Sequence, residues 1–316
     1  MLDPDIRRLL DTVFAVPPSS AAPDVALLRA VAEEAPKRLG GEAQPVTSID
    51  DLTVPGPAGE VRLRIYRPSA SQPSPCVLYA HGGGWVTGSL ESHDRLCRLL
   101  ASRLHAVLIA VEYRCAPEHV FPAALDDFEA AWHWVRTRSK SLAADAARMM
   151  VAGDSSGGNL AAALTLRLRA ARAPQPALQL LLYPALDAAC SRASYQRFAT
   201  GYNLAGAQMA WYWNVYRAGA DVANAELSPL AAKDLSELPP AVVAVAEADV
   251  LRDDGLDYAR RLDAACVPVR IVDCAGMIHG FLRWTGEVPA AGRWIDAIAA
   301  AVREVLLTRP VQEAAR

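Results

Sequence analysis

Several large protein classes are excluded by what this sequence of 316 residues has little of. It has almost no excess charge: 32 basic side chains stand against 35 acidic ones, a net charge of −3, which argues against a nucleic-acid binder. No stretch approaches the roughly 20 consecutive apolar residues that cross a bilayer. The opening MLDPDIRRLLDTVFAVPPSS carries acids where a secretory signal needs bases, and it has no continuous apolar run. The six cysteines (Cys76, Cys97, Cys115, Cys190, Cys266 and Cys274) form no CxxC pair. They read as buried small hydrophobes in a reducing compartment, not as a disulfide framework. His93 and Cys97 are four apart, but no HExxH or paired-cysteine partner supports a metal site. The expectation is a cytoplasmic protein with no membrane, nucleic-acid or metal partner.

Apolar residues, by contrast, make up 52% of the chain, enough for one large core. Ile6, Leu9, Leu10 and Val13 follow helical spacing, so residues 4–15 are expected to be an amphipathic helix. PPSSAAPD ends it, and a second short helix is expected over 24–35. Residues 49–68 have the pattern of a hairpin turning at 55–59. Short apolar strands at 76–80, 106–113, 148–153, 178–184, 241–247 and 267–273 then alternate with helices at 91–104, 122–138, 157–171, 252–265 and 290–307. Continuously apolar strands alternating with helices imply a parallel sheet covered on both faces. Residues 185–235 interrupt the rhythm with the aromatic-rich MAWYWNVY. The expected division is a core of 46–184 and 236–316, with a cap built from 1–45 and 185–235.

Chemistry concentrates at two glycine-rich turns. Gly153, Ser155 and Gly157 make G-x-S-x-G between an apolar strand and a helix, the context of a nucleophile elbow. The helix N-terminus directs free N–H groups at the serine and favours negative charge there. The plain alternative is an ordinary strand-to-helix turn. Upstream, His81-Gly82-Gly83-Gly84-Trp85 follows a strand. Three consecutive glycines cost conformational entropy, which is tolerated where backbone must approach a ligand. A phosphate cradle is the alternative, but no GxxxxGK[ST] or dinucleotide fingerprint is present. Gly83 and Gly84 N–H, with Ser156 N–H, form a candidate oxyanion hole. Removing one such donor typically costs about 3 kcal/mol. His81 is a tempting base but is read as a brace for the loop, together with Gly82.

The motifs HGGGW, GDSSGG, YRCAPEH followed by FPAALDD, DVLRDDG and HGF jointly resemble the hormone-sensitive-lipase-like α/β-hydrolases, the bacterial family IV carboxylesterases. The similarity runs from about residue 60 to 300. It implies an α/β-hydrolase fold: a mostly parallel sheet, helices on both faces and a helical cap. Three positions depart from the family: Ser156 for alanine, Val250 for proline and Cys115 for leucine. None removes a reactive group. Ser156 adds a second hydroxyl beside the site. The resemblance gives Asp154 a supporting role, and has Glu118 and Asp126 brace the APEH segment.

In this fold the triad runs serine, acid, histidine. Only His279 follows Ser155, so chain order selects it as the base. Glu247, Asp249, Asp253 and Asp254 compete for the acid. Asp253 and Asp254 fall in a first helical turn, where acids are expected for dipole reasons alone. Asp249 lies in the loop and matches the family's acid position. A serine carboxylesterase follows, acting on short- to medium-chain esters without a cofactor, as a monomer or homodimer. A non-catalytic receptor and an amidase on the same fold are the alternatives, and the filled triad weighs against the first. Candidate pocket residues are Trp85, Tyr183, Tyr202, Leu204, Met209, Trp213, Ile278 and Phe281. For the aromatics of the insertion, plain packing is an equal alternative.

Overall fold

The computed structural model describes residues 1–15, 23–68 and 74–307. Two helices, α1 (Pro4–Thr12) and α2 (Val25–Leu39), precede the hairpin β1 (Ser48–Gly56) and β2 (Gly59–Arg67). The alternating part runs β3 (Ser74–Ala80), α3 (Asp94–Leu104), β4 (Val107–Glu112), α4 (Ala123–Arg138), β5 (Ala144–Asp154), α5 (Ser156–Ala170) and β6 (Gln179–Leu182). After it come α6 (Ala193–Arg197) and α7 (Gly206–Arg217), then β7 (Ala241–Ala248), α8 (Arg252–Ala264), β8 (Val269–Ile278) and α9 (Pro289–Leu307). The expected break at PPSSAAPD lies, except for Pro23 and Asp24, outside the described residues.

The eight strands form one sheet in the order β1-β2-β4-β3-β5-β6-β7-β8. The β1–β2 and β2–β4 pairings are antiparallel and the rest parallel. Alternation along each strand divides the core between two layers. Leu78, Ile109, Val151, Leu181 and Val243 meet Phe128 of α4, Leu164 of α5 and Leu262 of α8. Val77, Leu108, Met150, Leu180 and Val242 meet Leu100 of α3, Ile298 of α9, and Ile6 and Leu9 of α1. Burying each such Leu, Ile or Val contributes roughly 1.5–3 kcal/mol. Helix α5 is buried on every side from Ser156 to Leu166, as a helix enclosed by other elements must be.

Three expectations change. Helix α2 continues to Leu39, past Pro36. Proline removes a helical donor, but Arg95 donates to the Pro36 and Lys37 carbonyls and Gly40 N–H closes on Pro36, so the last turn keeps its partners. Strand β8 runs to Ile278 and not to 273. Gly276, at φ 79°, turns within it while Glu247 accepts its N–H at 2.6 Å, and the register with β7 shifts between Ala246 and Ala248. Of the cysteines, Cys76, Cys97 and Cys274 are buried, Cys115 and Cys190 are half-buried and Cys266 is exposed; all six are free thiols. Among the described residues no helix is long and apolar enough to cross a membrane.

Candidate active site

Strand β5 delivers its last residue, Asp154, to a turn, and α5 begins at Ser156. Ser155 sits between them at φ 56°, ψ −118°. Such a backbone costs about 1–3 kcal/mol and persists only where neighbours over-determine it. Here Ser155 N–H donates to Leu182 O at 2.8 Å, and Ser155 O accepts from Asn159 and Ala185 N–H at 3.2 Å each. The turn admits nothing larger than glycine on either side. A Cβ on Gly153 would lie 2.3 Å from Gly157 backbone, and one on Gly157 1.9 Å from Ala80 O.

His279 follows β8 directly, and Asp249 follows β7. His279 Nδ1 lies 2.7 Å from Asp249 Oδ2, and its Nε2 lies 2.9 Å from Ser155 Oγ. Asp249 Oδ1 accepts Leu251 N–H at 2.9 Å. The competing acids are engaged elsewhere. Glu247 holds Gly276, Asp253 accepts Ser194 N–H, and Asp254 accepts the Leu186 and Asp187 N–H groups. Burial pushes the Asp254 carboxyl up. Ser155 and His279 are 6% and 8% exposed, so both side chains lie almost closed off from solvent.

Opposite Ser155, Gly83 and Gly84 take φ values of 125° and 61°. Gly83 O accepts Val86 N–H, Thr87 N–H and the Thr87 hydroxyl, which turns the loop back on itself. Among the described residues, no hydrogen bond uses the N–H groups of Gly83, Gly84 or Ser156. Ser156 is the first residue of α5, where helical N–H groups lack intrahelical partners. Its hydroxyl is buried and meets no partner.

Behind the loop lies a buried polar cluster. Asp154 Oδ1 accepts the Tyr79 hydroxyl at 2.6 Å and Gly82 N–H at 2.7 Å, with His93 Nε2 at 3.3 Å. That last distance suits an ion pair, but the His93 nitrogen is not aligned for a hydrogen bond. Burial alone would raise the Asp154 carboxyl; His93, with help from Arg283 and Tyr79, holds it below the usual range. His81 stacks on Tyr113 at 4.2 Å, and its Nδ1 lies 2.9 Å from Gly82 O. Burial, then His93, push its pKa down to about 3, so it stands neutral as a brace.

Sequence reading missed the tie between this cluster and α2. Arg29 donates to Val86 O, Ala116 O and both Glu118 oxygens. Glu33 accepts the Ser89 hydroxyl; Ser89 and Ser92 bond each other, and Ser92 Oγ lies 2.9 Å from His93 Nδ1. The partners of Arg29 and Glu33 lie 56 to 89 residues away in the chain, so no local pattern announces them. Glu118 thus anchors α2, and Asp126 pairs with Arg167 on α5. The carboxylate bracing the YRCAPEH segment is Asp127, which takes Arg114 N–H and its guanidinium.

The proposed pocket residues divide. Trp85 stacks flat on Tyr216 at 4.4 Å and tilts on Trp213 at 4.3 Å, fixing α7 to the glycine loop. Tyr183 abuts His279 at 5.0 Å and Phe281 at 5.9 Å. These residues, with Met209 and Ile278, are essentially fully buried. Leu204 is 8% exposed and Tyr202 half-buried. Tyr212, not among the candidates, covers Gly84: a Cβ there would meet its ring at 2.3 Å.

A family model described as alpha/beta hydrolase fold matches residues 77–283. The chain belongs to this family. Within it, the hydrolase is of the hormone-sensitive-lipase-like carboxylesterase type. It is 39% identical to a carboxylic ester hydrolase of Mycobacterium tuberculosis, LipN, over 89% of this chain and 77% of that one. It is 38% identical to an ethyl acetate hydrolase of Pseudomonas putida, over 87% and 88% of the two chains. Among solved structures, an ester hydrolase from the metagenome of Lake Arreo, complexed with a bipyridine phosphonate derivative, superposes with a TM-score of 0.92. That protein is 39% identical, with 98% of this chain and 100% of that chain covered.

Proposed function

We propose that this hydrolase cleaves short- to medium-chain carboxylic esters through an acyl-enzyme on Ser155. The observation that carries the reading is the hydrogen-bonded line Asp249–His279–Ser155, with spacings of 2.7 and 2.9 Å, ending beside three uncommitted N–H groups. With Nδ1–H donated to Asp249, the His279 Nε2 lone pair faces the Ser155 hydroxyl. Ser155 Oγ attacks the ester carbonyl as its proton passes to Nε2. The carbonyl oxygen becomes an oxyanion, held by Gly83, Gly84 and Ser156 N–H. Collapse expels the alcohol, which takes the proton from Nε2. Water then enters, gives a proton to Nε2 and attacks the acyl carbon, and the acid leaves as Ser155 recovers its proton.

Ser155→Ala should abolish hydrolysis of p-nitrophenyl butyrate, by a factor on the order of 10⁴ to 10⁶, with an unchanged circular dichroism spectrum. A loss of only a few-fold overturns the nucleophile assignment.

Residues 1–45 and 185–235 are read as the cap, over a core of 46–184 and 236–316. The grip of α2 on the Val86 and Ala116 carbonyls and the packing of α7 on Trp85 support this division. Each buried acyl methylene gains about 0.8 kcal/mol until the wall is met. kcat/KM across p-nitrophenyl acetate to palmitate should therefore peak between roughly four and eight carbons. A rise continuing to palmitate favours an open, lipase-like site. Six free thiols fit a reducing compartment, and the enzyme is read as a cytoplasmic monomer or homodimer.

A further inference from the structure

Arg283 stands in the short turn Phe281–Arg283, four residues after His279. It is half-buried, and its Nε meets no acceptor. No ion pair or hydrogen bond engages the guanidinium among the described residues. Other well-covered arginines of this chain are paired: Arg64 with Asp51 and Glu91, Arg167 with Asp126, Glu129 and Glu226, and Arg252 with Asp273. A buried donor left without an acceptor is costly, and Arg283 Nε is one; a purely packing role would be filled better by an apolar side chain.

Its position is informative. A Cβ on Gly280, the residue after His279, would lie 3.2 Å from Arg283 Nη2. Burial raises the Tyr212 phenol, and the Arg283 charge is among the groups that oppose the rise. The same charge acts on Tyr183, whose ring abuts His279. Tyr212 covers Gly84, so the guanidinium lies beside the His279 turn and its charge is felt by the ring that covers the glycine loop. Asp154 feels the Arg283 charge, but its Oδ1 accepts from Tyr79 and Gly82 and no ion pair joins it to the guanidinium.

We propose that Arg283 binds a carboxylate carried by the substrate, so that the preferred esters bear a negative charge besides the scissile bond. A planar guanidinium matches a carboxylate with two parallel N–H···O bonds, which a neutral ester cannot offer. This deepens the esterase reading and rests on it.

The test compares three butyrate-sized esters: neutral p-nitrophenyl butyrate, mono-p-nitrophenyl glutarate with a carboxylate on the acyl side, and 4-(butyryloxy)benzoate with one on the alcohol side. The readout is the ratio of kcat/KM for each charged ester to that for the neutral one. Arg283→Met should lower the ratio in one arm by roughly ten-fold or more, mainly through KM, since a hydrogen bond to a charged group is lost. Arg283→Lys should restore part of it, and added salt should erode it in the unaltered enzyme. The arm that responds names the moiety carrying the charge. Ratios unchanged within about two-fold in both arms overturn the proposal, as does a neutral-ester rate that falls in step with the charged ones. Ser155→Ala tests the nucleophile separately: were it active, the catalytic reading would fail while the ratios still judged Arg283.

Discussion

Replacing Asp154 by asparagine tests how the glycine loop is held. The carboxylate accepts two hydrogen bonds on one oxygen, from the Tyr79 hydroxyl and Gly82 N–H. Bonds to a charged acceptor are worth about 1.5–3 kcal/mol each, against about 1 kcal/mol for neutral ones. A variant that keeps both as neutral contacts should therefore be destabilised by about 1–4 kcal/mol. The sign of the pH dependence follows from the depressed carboxyl. Its folded value lies below the ordinary 3.8, so its stabilisation is complete above that value and is lost as pH falls toward the folded one. The gap between the two proteins in urea midpoint should be open at pH 6 and should close below about pH 4. Catalysis should suffer as well. Gly82 is the anchor from which Gly83 and Gly84 N–H are aimed, and outright loss of one oxyanion donor costs about 10²–10³ in kcat. Loosening the anchor should lower kcat by roughly ten- to a hundred-fold with KM little changed. Urea unfolding followed by circular dichroism, and kcat on p-nitrophenyl butyrate, supply both readings. An Asp154→Asn protein with unaltered midpoint and kcat would refute the argument.

Asp249→Asn should cripple hydrolysis by about 10⁴, as loss of the tautomer-fixing acid does elsewhere, while Asp253→Asn leaves most of the rate; a crippled Asp253→Asn enzyme would reverse the assignment. Gly157→Ala should lose folded protein on expression or be destabilised in urea by about 1–3 kcal/mol or more, because its Cβ meets Ala80 O at 1.9 Å. Arg29→Met removes the grip of α2 on Val86, Ala116 and Glu118; it should broaden the acyl-chain profile more than it lowers the butyrate rate, and an unchanged profile would count against the N-terminal part of the cap. Deleting residues 1–35 should have the same effect more strongly, read in the same ester series.

Much of this site was legible because sterics and chain order are local or nearly so. Gly153 and Gly157 have no room for a side chain, so the elbow announces itself in the residues around Ser155. His279 is the only histidine after the serine, and the parallel sheet is visible in runs such as AVVAVAEA. The loss of legibility begins where a residue's partner is remote. His93, noticed only for its spacing from Cys97, lies against Asp154. Asp127 and not Asp126 braces Arg114, because of two adjacent aspartates only one points inward. β8 outran its expected end because a positive-φ glycine reads as a stop, whereas Gly276 turns and continues the strand. Tyr212 is not singled out by sequence in a helix of four aromatics, since which of them reaches the glycine loop depends on how α7 is rotated against it.

The fastening of the opening helices has a consequence for the order of events when the chain is made. Asp3 N–H bonds Gly276 O, the Thr285 hydroxyl bonds Gly40 O and Gly286 N–H bonds Leu39 O. The ties between residues 8 and 287 and between 40 and 285 span 279 and 245 positions. A chain synthesised from its N-terminus therefore carries α1 and α2 without their full seats until nearly all of it has emerged. Closing such long loops is entropically slow. The sheet from β2 to β6 can form meanwhile, elbow included, yet the histidine and the final seating of the opening helices arrive together at the end. On the proposed assignment hydrolytic competence is thus a late event, and a nascent chain stalled before β8 carries its serine without its base.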